Sequence, residues 1–272
     1  MKIKYLGTAA FEGVPALFCN CRVCQSAKKL GGRNLRSRSQ ALINDELLIE
    51  FNPDTVWHYH TYCFDWKKIL GCLITHSHSD HLYPADIEMA ASCFTHAHKP
   101  LHFYSARSGY DKIKAMSDAI GEGVEVTLID AGNRFSVGEY DVLPLWANHS
   151  EETSPVIYSI GYKGKKILYA HDTGVFSEKT WELLKNERRF DLISLDCTGC
   201  LAKGGDWVDG HMSFGTDLKT ADRMRNEGLI DGKTLIVLNH FSHNGGQTYD
   251  EMRVEAEKAG VIVSYDGLEI EF

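Results

Sequence analysis

Apolar residues along the chain come in short runs with two different periods. Runs rich in Ile, Leu, Val and Tyr, cut off by Gly, Asn, Asp or Pro, predict strands at residues 2–6, 40–43, 47–51, 68–75, 101–104, 124–129, 133–137, 140–146, 155–162, 166–169, 191–195 and 234–238, with two more near Ile262 and Ile270. Tight turns at Asn44-Asp45-Glu46 and Lys163-Gly164-Lys165 join two of the pairs. Apolar positions at three- and four-residue spacing predict helices from 52–54 to about 62, with Asp54 as N-cap, and at about 84–94, 109–120, 177–186, 214–226 and 249–259. Residues 9–38 follow neither period and read as irregular. Strands followed by helices in two successive series predict a layered α/β architecture around one site. With no internal repeat and no linker rich in Pro, Gly or Ser, residues 1–272 read as a single domain.

Composition narrows the setting. At 272 residues and 43% hydrophobic, the chain can build a sizeable core. Lys and Arg number 29 against 37 Asp and Glu, a formal net charge of −8. A broad polyanion-binding surface needs clustered cations, so nucleic acid is not the expected partner, whereas a small phosphorylated molecule in a local pocket remains compatible. No stretch approaches the ~20 apolar residues that cross a bilayer, and the first residues are too short in apolar content for a signal peptide. The expected location is the cytoplasm, where eight cysteines are read as metal ligands or buried thiols before disulfides.

Histidine and aspartate recur where the apolar strands run out. His76, His78, Asp80 and His81 follow Ile74-Thr75; His149 follows Leu143-Pro144-Leu145-Trp146; Asp172 follows Ile167-Leu168-Tyr169; His240 follows Leu235-Ile236-Val237-Leu238. Four strand ends on one sheet edge would gather seven N and O ligands, a set suited to Zn, Mn or Fe. Alternation in extended chain lets His76 and His78 share a side, while Asp80 and His81 turn toward a second metal. Asp172, with two oxygens, is the natural bridge. Two metals ~3.5–4 Å apart generate hydroxide near neutral pH and hold both oxygens of a displacement.

The His76-x-His78-x-Asp80-His81 motif, with His149, Asp172 and His240 in order behind it, resembles the metallo-β-lactamase superfamily of hydrolases over nearly the whole chain. The resemblance implies an α/β fold, a four-layer αββα sandwich with a dinuclear site at its open edge. It assigns His76, His78 and His149 to one divalent metal, Asp80, His81 and His240 to the other, and Asp172 to both. An aspartate stands at 172 where the antibiotic-cleaving enzymes usually carry a cysteine, which disfavours β-lactam hydrolysis.

Cys19-Asn20-Cys21-Arg22-Val23-Cys24 supplies three thiols in six residues. Structural zinc wants four ligands, and His243, three residues past His240, is the candidate fourth. Such a site would tie the N-terminal loop to the segment carrying His240. This pairing is similar to the cyclic phosphodiesterases of bacterial phosphonate breakdown, which act on phosphoribosyl 1,2-cyclic phosphate, and more loosely to the pyrroloquinoline quinone biosynthesis branch. By that resemblance His211, in Asp209-Gly210-His211-Met212-Ser213, protonates the leaving alkoxide, and a histidine near its ordinary pKa suits the task. Asp80 and His211 are thus the candidate catalytic residues.

Other features are set aside. His96 and His98 lack a following Asp-His and read as a solvated helix end; His58 and His60 read as packing in an aromatic helix; His102 has no partner pattern; His171 points to the opposite face from Asp172. Cys197 and Cys200 lack a redox context but end a strand as the ligands do and line the pocket in one reading. Cys63, Cys72 and Cys93 read as core thiols, and Arg33, Arg36 and Arg38 as a solvated basic patch. The expected function is hydrolysis of a small, possibly cyclic, phosphodiester through a hydroxide held by two divalent metals, with one structural zinc. Hydrolysis of a thioester, lactone or other acyl substrate is the alternative enzyme, and a non-catalytic metal- or ligand-binding protein the alternative class. The expected partner is a small molecule, not a membrane, and a homodimer is implied by resemblance alone.

Overall fold

In the computed structural model, which describes residues 1–96, 99–202 and 210–272, the apolar runs become fourteen strands in two sheets. The first sheet holds β1 (Lys2–Gly7), β2 (Gln40–Ile43), β3 (Leu47–Ile49), β4 (Gly71–Ile74), β5 (Leu101–Ser105) and β6 (Val124–Leu128). The second holds β7 (Phe135–Val137), β8 (Tyr140–Trp146), β9 (Val156–Tyr162), β10 (Lys165–Ala170), β11 (Leu192–Asp196), β12 (Leu235–Asn239) and β13 (Ile262–Val263). The last strand, β14 (Glu269–Glu271), returns to the first sheet beside β1, giving the orders β14-β1-β2-β3-β4-β5-β6 and β13-β12-β11-β10-β9-β8-β7. Each sheet begins as antiparallel hairpins and continues as parallel strands. Asn44 and Asp45, both at positive φ, make the turn between β2 and β3 tight.

The sheets face each other across one apolar layer. Ile3, Tyr5, Ile43, Ile49 and Leu73 from the first meet Val142, Tyr158, Ile160, Tyr169 and Val237 from the second. Outside, α2 (Thr55–Tyr62) and α3 (Arg107–Ile120) lie with the first sheet, while α4 (Glu178–Leu184), α5 (Phe214–Asn226) and α6 (Tyr249–Ala259) cover the second. The result is the four-layer αββα arrangement expected, with helices buried along one stripe and solvated on the other.

Several local expectations need correction. Residues 9–38 contain a helix, α1 (Arg22–Leu30), whose buried stripe is only Val23, Cys24 and Ala27, too short to stand out as a period. Asp54 precedes α2, but its carboxylate accepts from the Arg38 N–H at 2.9 Å and from Arg38 Nη1 at 3.0 Å and caps nothing. The stretch from Pro84 is a 3₁₀ segment that ends at Ala90, and Trp66–Lys68 is a further 3₁₀ turn before β4 starts at Gly71. Only Cys72 of the three proposed core thiols is buried; Cys63 and Cys93 are exposed, since α2 ends at Cys63 and Cys93 lies beyond the 3₁₀ segment. The arginines form no patch. Arg36 is buried, donating to Thr8 Oγ1 and Ser264 O over the Phe241 ring, while Arg33 lies over Tyr265 and Arg38 pairs with Asp54. His98 and Asp209 lie outside the described residues, and His96 is exposed.

Candidate metal centre

The register of the parallel strands decides where the polar residues meet. Ala170 of β10 pairs with Leu195 of β11, and Leu195 with Leu238 of β12, so the residues just past these strands emerge side by side at the C-terminal edge. Asp172 and His240 stand there, and His149 arrives from the end of β8. Across the sandwich, β4 ends at Ile74 and its continuation carries His76, His78, Asp80 and His81 over the same edge. Ligand sites of open α/β sheets lie at this end of the strands.

Three four-residue groups share Asp172: with His76, His78 and His149 on one side, with Asp80, His81 and His240 on the other, and with Asp196, His211 and His240 behind, each group's donor atoms lying within 4.8 Å of one another. Asp172 Oδ2 lies 3.0 Å from His76 Nε2, 3.0 Å from His81 Nε2 and 3.5 Å from His149 Nε2. His78 Nδ1 sits 2.9 Å from His76 Nε2 and 3.2 Å from His149 Nε2. His81 Nε2, His240 Nε2 and Asp172 Oδ1 are buried with charged groups nearby, yet none makes a hydrogen bond of acceptable geometry. Buried polar atoms are normally paired, and lone pairs of several imidazoles crowd together only around a shared positive centre. This donor set therefore fits divalent cations. All seven sequence-predicted residues are brought together here.

The far sides of four of the rings face groups of the protein. His81 Nδ1 faces Glu50 Oε1 at 3.2 Å, and Glu50 in turn accepts from Thr75 Oγ1 at 2.6 Å. His149 Nδ1 faces Gly210 O at 3.0 Å, and His76 Nδ1 faces Thr75 Oγ1 at 3.0 Å. Thr198 donates its hydroxyl to His240 O at 2.7 Å, so its lone pair is free to accept from His240 Nδ1 at 2.8 Å. That fixes a tautomer with Nε2 unprotonated and turned to the cluster. Gly210 is required here: its φ is 75°, and an added Cβ would stand 2.6 Å from His149 Nδ1.

Asp196, which the sequence reading passed over, is the most heavily used residue of the region. Fully buried at the end of β11, its Oδ2 accepts from the Asp172 N–H at 3.0 Å and lies 3.1 Å from His211 Nδ1 and 3.3 Å from His240 Nδ1. Its Oδ1 accepts from the Thr198 and Met212 N–H groups at 3.0 and 3.1 Å. Asp172, His240 and Glu50 all sit in the left-handed backbone region, at φ 55°, 62° and 74°, where a non-glycine residue costs about 1–2 kcal/mol and persists because its surroundings hold it. The signal that would have found Asp196 was present: like the ligands, it follows an apolar strand.

Charge is uneven across the cluster. Burial drives His76 down to about 3. Burial acts the same way on His81, but Asp80 and Glu50 outweigh it and hold that ring well above the ordinary histidine value. Asp172 resists its own burial through His240 and His76 and stays well below the usual carboxylate range. His211 departs from the expectation of an ordinary pKa. Burial works against its proton, yet Asp196 and Asp172, each 3.1 Å from Nδ1, raise it to about 9. His211, His78, Asp80, His149, Asp172 and His240 all line one open cavity of about 400 Å³, joined by Phe11, Glu12 and Thr198. Cys197 and Cys200 do not line it; both are buried in the apolar layer under α5 and α6. His171 does face away, onto Ser194 Oγ at 2.7 Å.

The N-terminal thiols gather as well. Cys19, Cys21, Cys24 and His243 place their donor atoms within 4.8 Å of one another, with His243 Nδ1 3.5 Å from Cys21 Sγ and 3.7 Å from Cys19 Sγ. Burial opposes a thiolate at Cys21, but the Cys24 N–H and neighbouring side chains bring it to about 6. On the other side of the ring, His243 Nε2 lies 3.5 Å from Glu12 Oε1, which also accepts from Ser242 Oγ at 2.5 Å. Four soft and borderline donors with a carboxylate behind the histidine fit zinc.

A two-sheet sandwich with histidines and aspartates at one edge defines the metallo-β-lactamase fold. Residues 59–240, more than half of the chain, match the model of the β-lactamase superfamily domain, and the chain belongs to that family. Among solved structures it is similar to a diphosphatase from the PhnP family, at TM-score 0.76 and 21% identity, covering 100% of this chain and 97% of the other. It is also similar to zinc-bound PqqB from Methylobacterium extorquens, at TM-score 0.74 and 18% identity, covering 100% of each. At these identities the likeness is one of fold. A curated relative, an octanoyltransferase of Porphyromonas gingivalis, is 23% identical over 99% of this chain and 51% of its own length. The chain thus spans about half of the curated relative it matches. Among the described residues, no helix is long and apolar enough to cross a membrane.

Proposed function

We propose that the chain is a metal-dependent hydrolase of a small phosphodiester, a cyclic one included. The observation that carries this reading is the sharing of Asp172 between two groups of imidazole and carboxylate donors at the floor of a single open cavity. His76, His78, His149 and Asp172 would hold one divalent cation, and Asp80, His81, His240 and Asp172 the second. Divalent cations bound there supply Lewis acidity and make water a nucleophile near neutral pH. The chain's own groups do the rest. Glu50, Thr75, Thr198, Asp196 and Gly210 orient the rings. His211, raised to about 9, stays protonated at neutral pH; with Nδ1 engaged by Asp196, its Nε2 is the atom that gives a proton to the leaving alkoxide. Cys19, Cys21, Cys24 and His243 would hold a structural zinc that fixes Glu12 at the cavity rim. A cavity of about 400 Å³ on a chain of net charge −8 suits a small anion held locally better than a polynucleotide.

Support comes from the similarity to the PhnP-family diphosphatase. The octanoyltransferase relative favours a second reading, an acyl ester or thioester substrate at the same site, although that name belongs to a protein twice as long. Metal-reconstituted protein assayed against bis-p-nitrophenyl phosphate and p-nitrophenyl octanoate separates the two. The phosphodiester reading expects turnover of the first, abolished by chelation and by Asp172→Ala. Turnover of the octanoate ester alone would establish the second reading, and turnover of neither would leave a binding protein.

A further inference from the structure

A second concavity, of about 430 Å³, opens on the outer face of the first sheet and shares no lining residue with the histidine cavity. Val56 and Tyr59 of α2, Trp66, Ile87 and Phe103 form its walls, and Phe51 closes it toward the centre of the molecule. Several of these side chains are only partly covered: Val56 is 40% exposed, Tyr59 39% and the adjoining Met89 45%. A volume of this size with aromatic and aliphatic walls is that of a small-molecule pocket, and apolar surface held open to water is costly unless something covers it.

The rim carries the opposite chemistry. Lys67, Lys99, His60 and His96 line it against one carboxylate, Asp86. Lys99 Nζ donates to Ile69 O at 3.3 Å, and neither lysine pairs with a carboxylate among the described residues. On a chain of net charge −8, two uncompensated ammonium groups beside an apolar cavity select an anionic head on an apolar tail. Two lysines are too few for an anionic membrane surface, which rewards basic clusters. A peptide would bury backbone amides against walls that offer few partners.

We propose that this cavity binds a medium-chain carboxylic acid, its tail between α2 and the Pro84–Ala90 segment and its carboxylate at Lys67 and Lys99. The Phe51 N–H donates to His81 O at 2.9 Å and Phe51 O accepts from the Tyr83 N–H at 2.7 Å, which joins a wall of this pocket to the segment that carries the histidine cluster. Binding needs no turnover and is independent of the reading of the histidine cluster. Calorimetric titration of the full chain with hexanoate, octanoate and decanoate tests it. Affinity is expected to rise about fourfold for each added methylene, the value of burying one. Ala90→Trp, at a position that lines the cavity, is expected to abolish decanoate binding while leaving the urea unfolding transition cooperative. Should that variant misfold, Lys67→Glu combined with Lys99→Glu, both at exposed positions, is expected to weaken decanoate roughly tenfold and leave decyltrimethylammonium unaffected or tighter. The same affinity for all three acids, unaltered binding to a folded Ala90→Trp protein, or equal binding of the cationic amphiphile by the parent would overturn the proposal.

Discussion

At the scale of single residues, the arrangement turns on which nitrogen of each histidine is committed to the protein. Thr198 and Asp196 both engage His240 Nδ1 and Gly210 O engages His149 Nδ1, while the Glu50 carboxylate stands beside His81 Nδ1 as a charge partner, and in each case Nε2 turns to the cluster. Asp196 also grips the strained backbone of Asp172 through its N–H. Asp196→Asn would keep the shape but place an NH₂ where an acceptor is needed, so at least one ring or backbone donor loses its partner. The variant is expected to fold, to retain less divalent metal by elemental analysis, and to lose about 10–100-fold in kcat/KM toward bis-p-nitrophenyl phosphate, the usual cost of removing a residue that orients a ligand. Unchanged metal content together with unchanged turnover would show that Asp196 positions nothing. The seven candidate positions that the fold brings together were legible in the sequence because each follows an apolar strand. Glu50 was not, because a buried carboxylate behind a ring leaves no spacing to read, and its role depends on a contact across two strands.

At the scale of elements, long periodic segments were the readable ones. The bounds of α5 and α6 agree with their apolar spacing, and α6 carries a capping box in which Thr248 accepts from the Glu251 N–H and Glu251 reaches back to the Thr248 N–H. Thr248→Ala is expected to cost about 1 kcal/mol in urea unfolding with phosphodiester turnover intact. The short α1 escaped because only three of its side chains are buried, and they pack on a loop rather than on a sheet. What holds α1 is chemistry that the periodicity of the chain cannot express. Cys21 stands at its N-cap without a side-chain capping bond, Cys24 lies in its first turn, and both converge on His243. Cys21→Ser is therefore expected to release one equivalent of zinc and lower Tm, while the histidine cluster keeps its own metal. Loss of all metal together, or of none, would contradict two separate centres.

At the scale of the whole molecule, the layered fold was legible because strands and helices succeed each other in two similar series. The strand near Ile270 was legible too, but its return to the first sheet was not, since the place of a three-residue strand is set by pairing with β1 at the far end of the chain. Packing of α2 against the segment that leads into β2 buries His58. Its ring is held between Ser37 Oγ at 2.7 Å and Gln40 Oε1 at 2.6 Å, with Asp54 close enough to favour the proton but not to prevail. Burial brings its pKa from 6.5 to about 4. In the unfolded chain this histidine takes up a proton near pH 6.5, whereas in the folded protein it does so only near pH 4. Between those values the unfolded state binds more protons, so stability is full above pH 6.5 and falls as pH falls, by about 1.4 kcal/mol per unit and on the order of 3 kcal/mol across the window. His58→Gln removes the titrating group and retains hydrogen-bonding capacity. Urea unfolding of chelator-treated parent and variant, which takes metal-linked protons out of the comparison, is expected to give a stability difference that is constant above pH 7 and shifts by that slope in favour of the variant below pH 6.5. A difference independent of pH would mean that the proton-linked loss of stability belongs to another group.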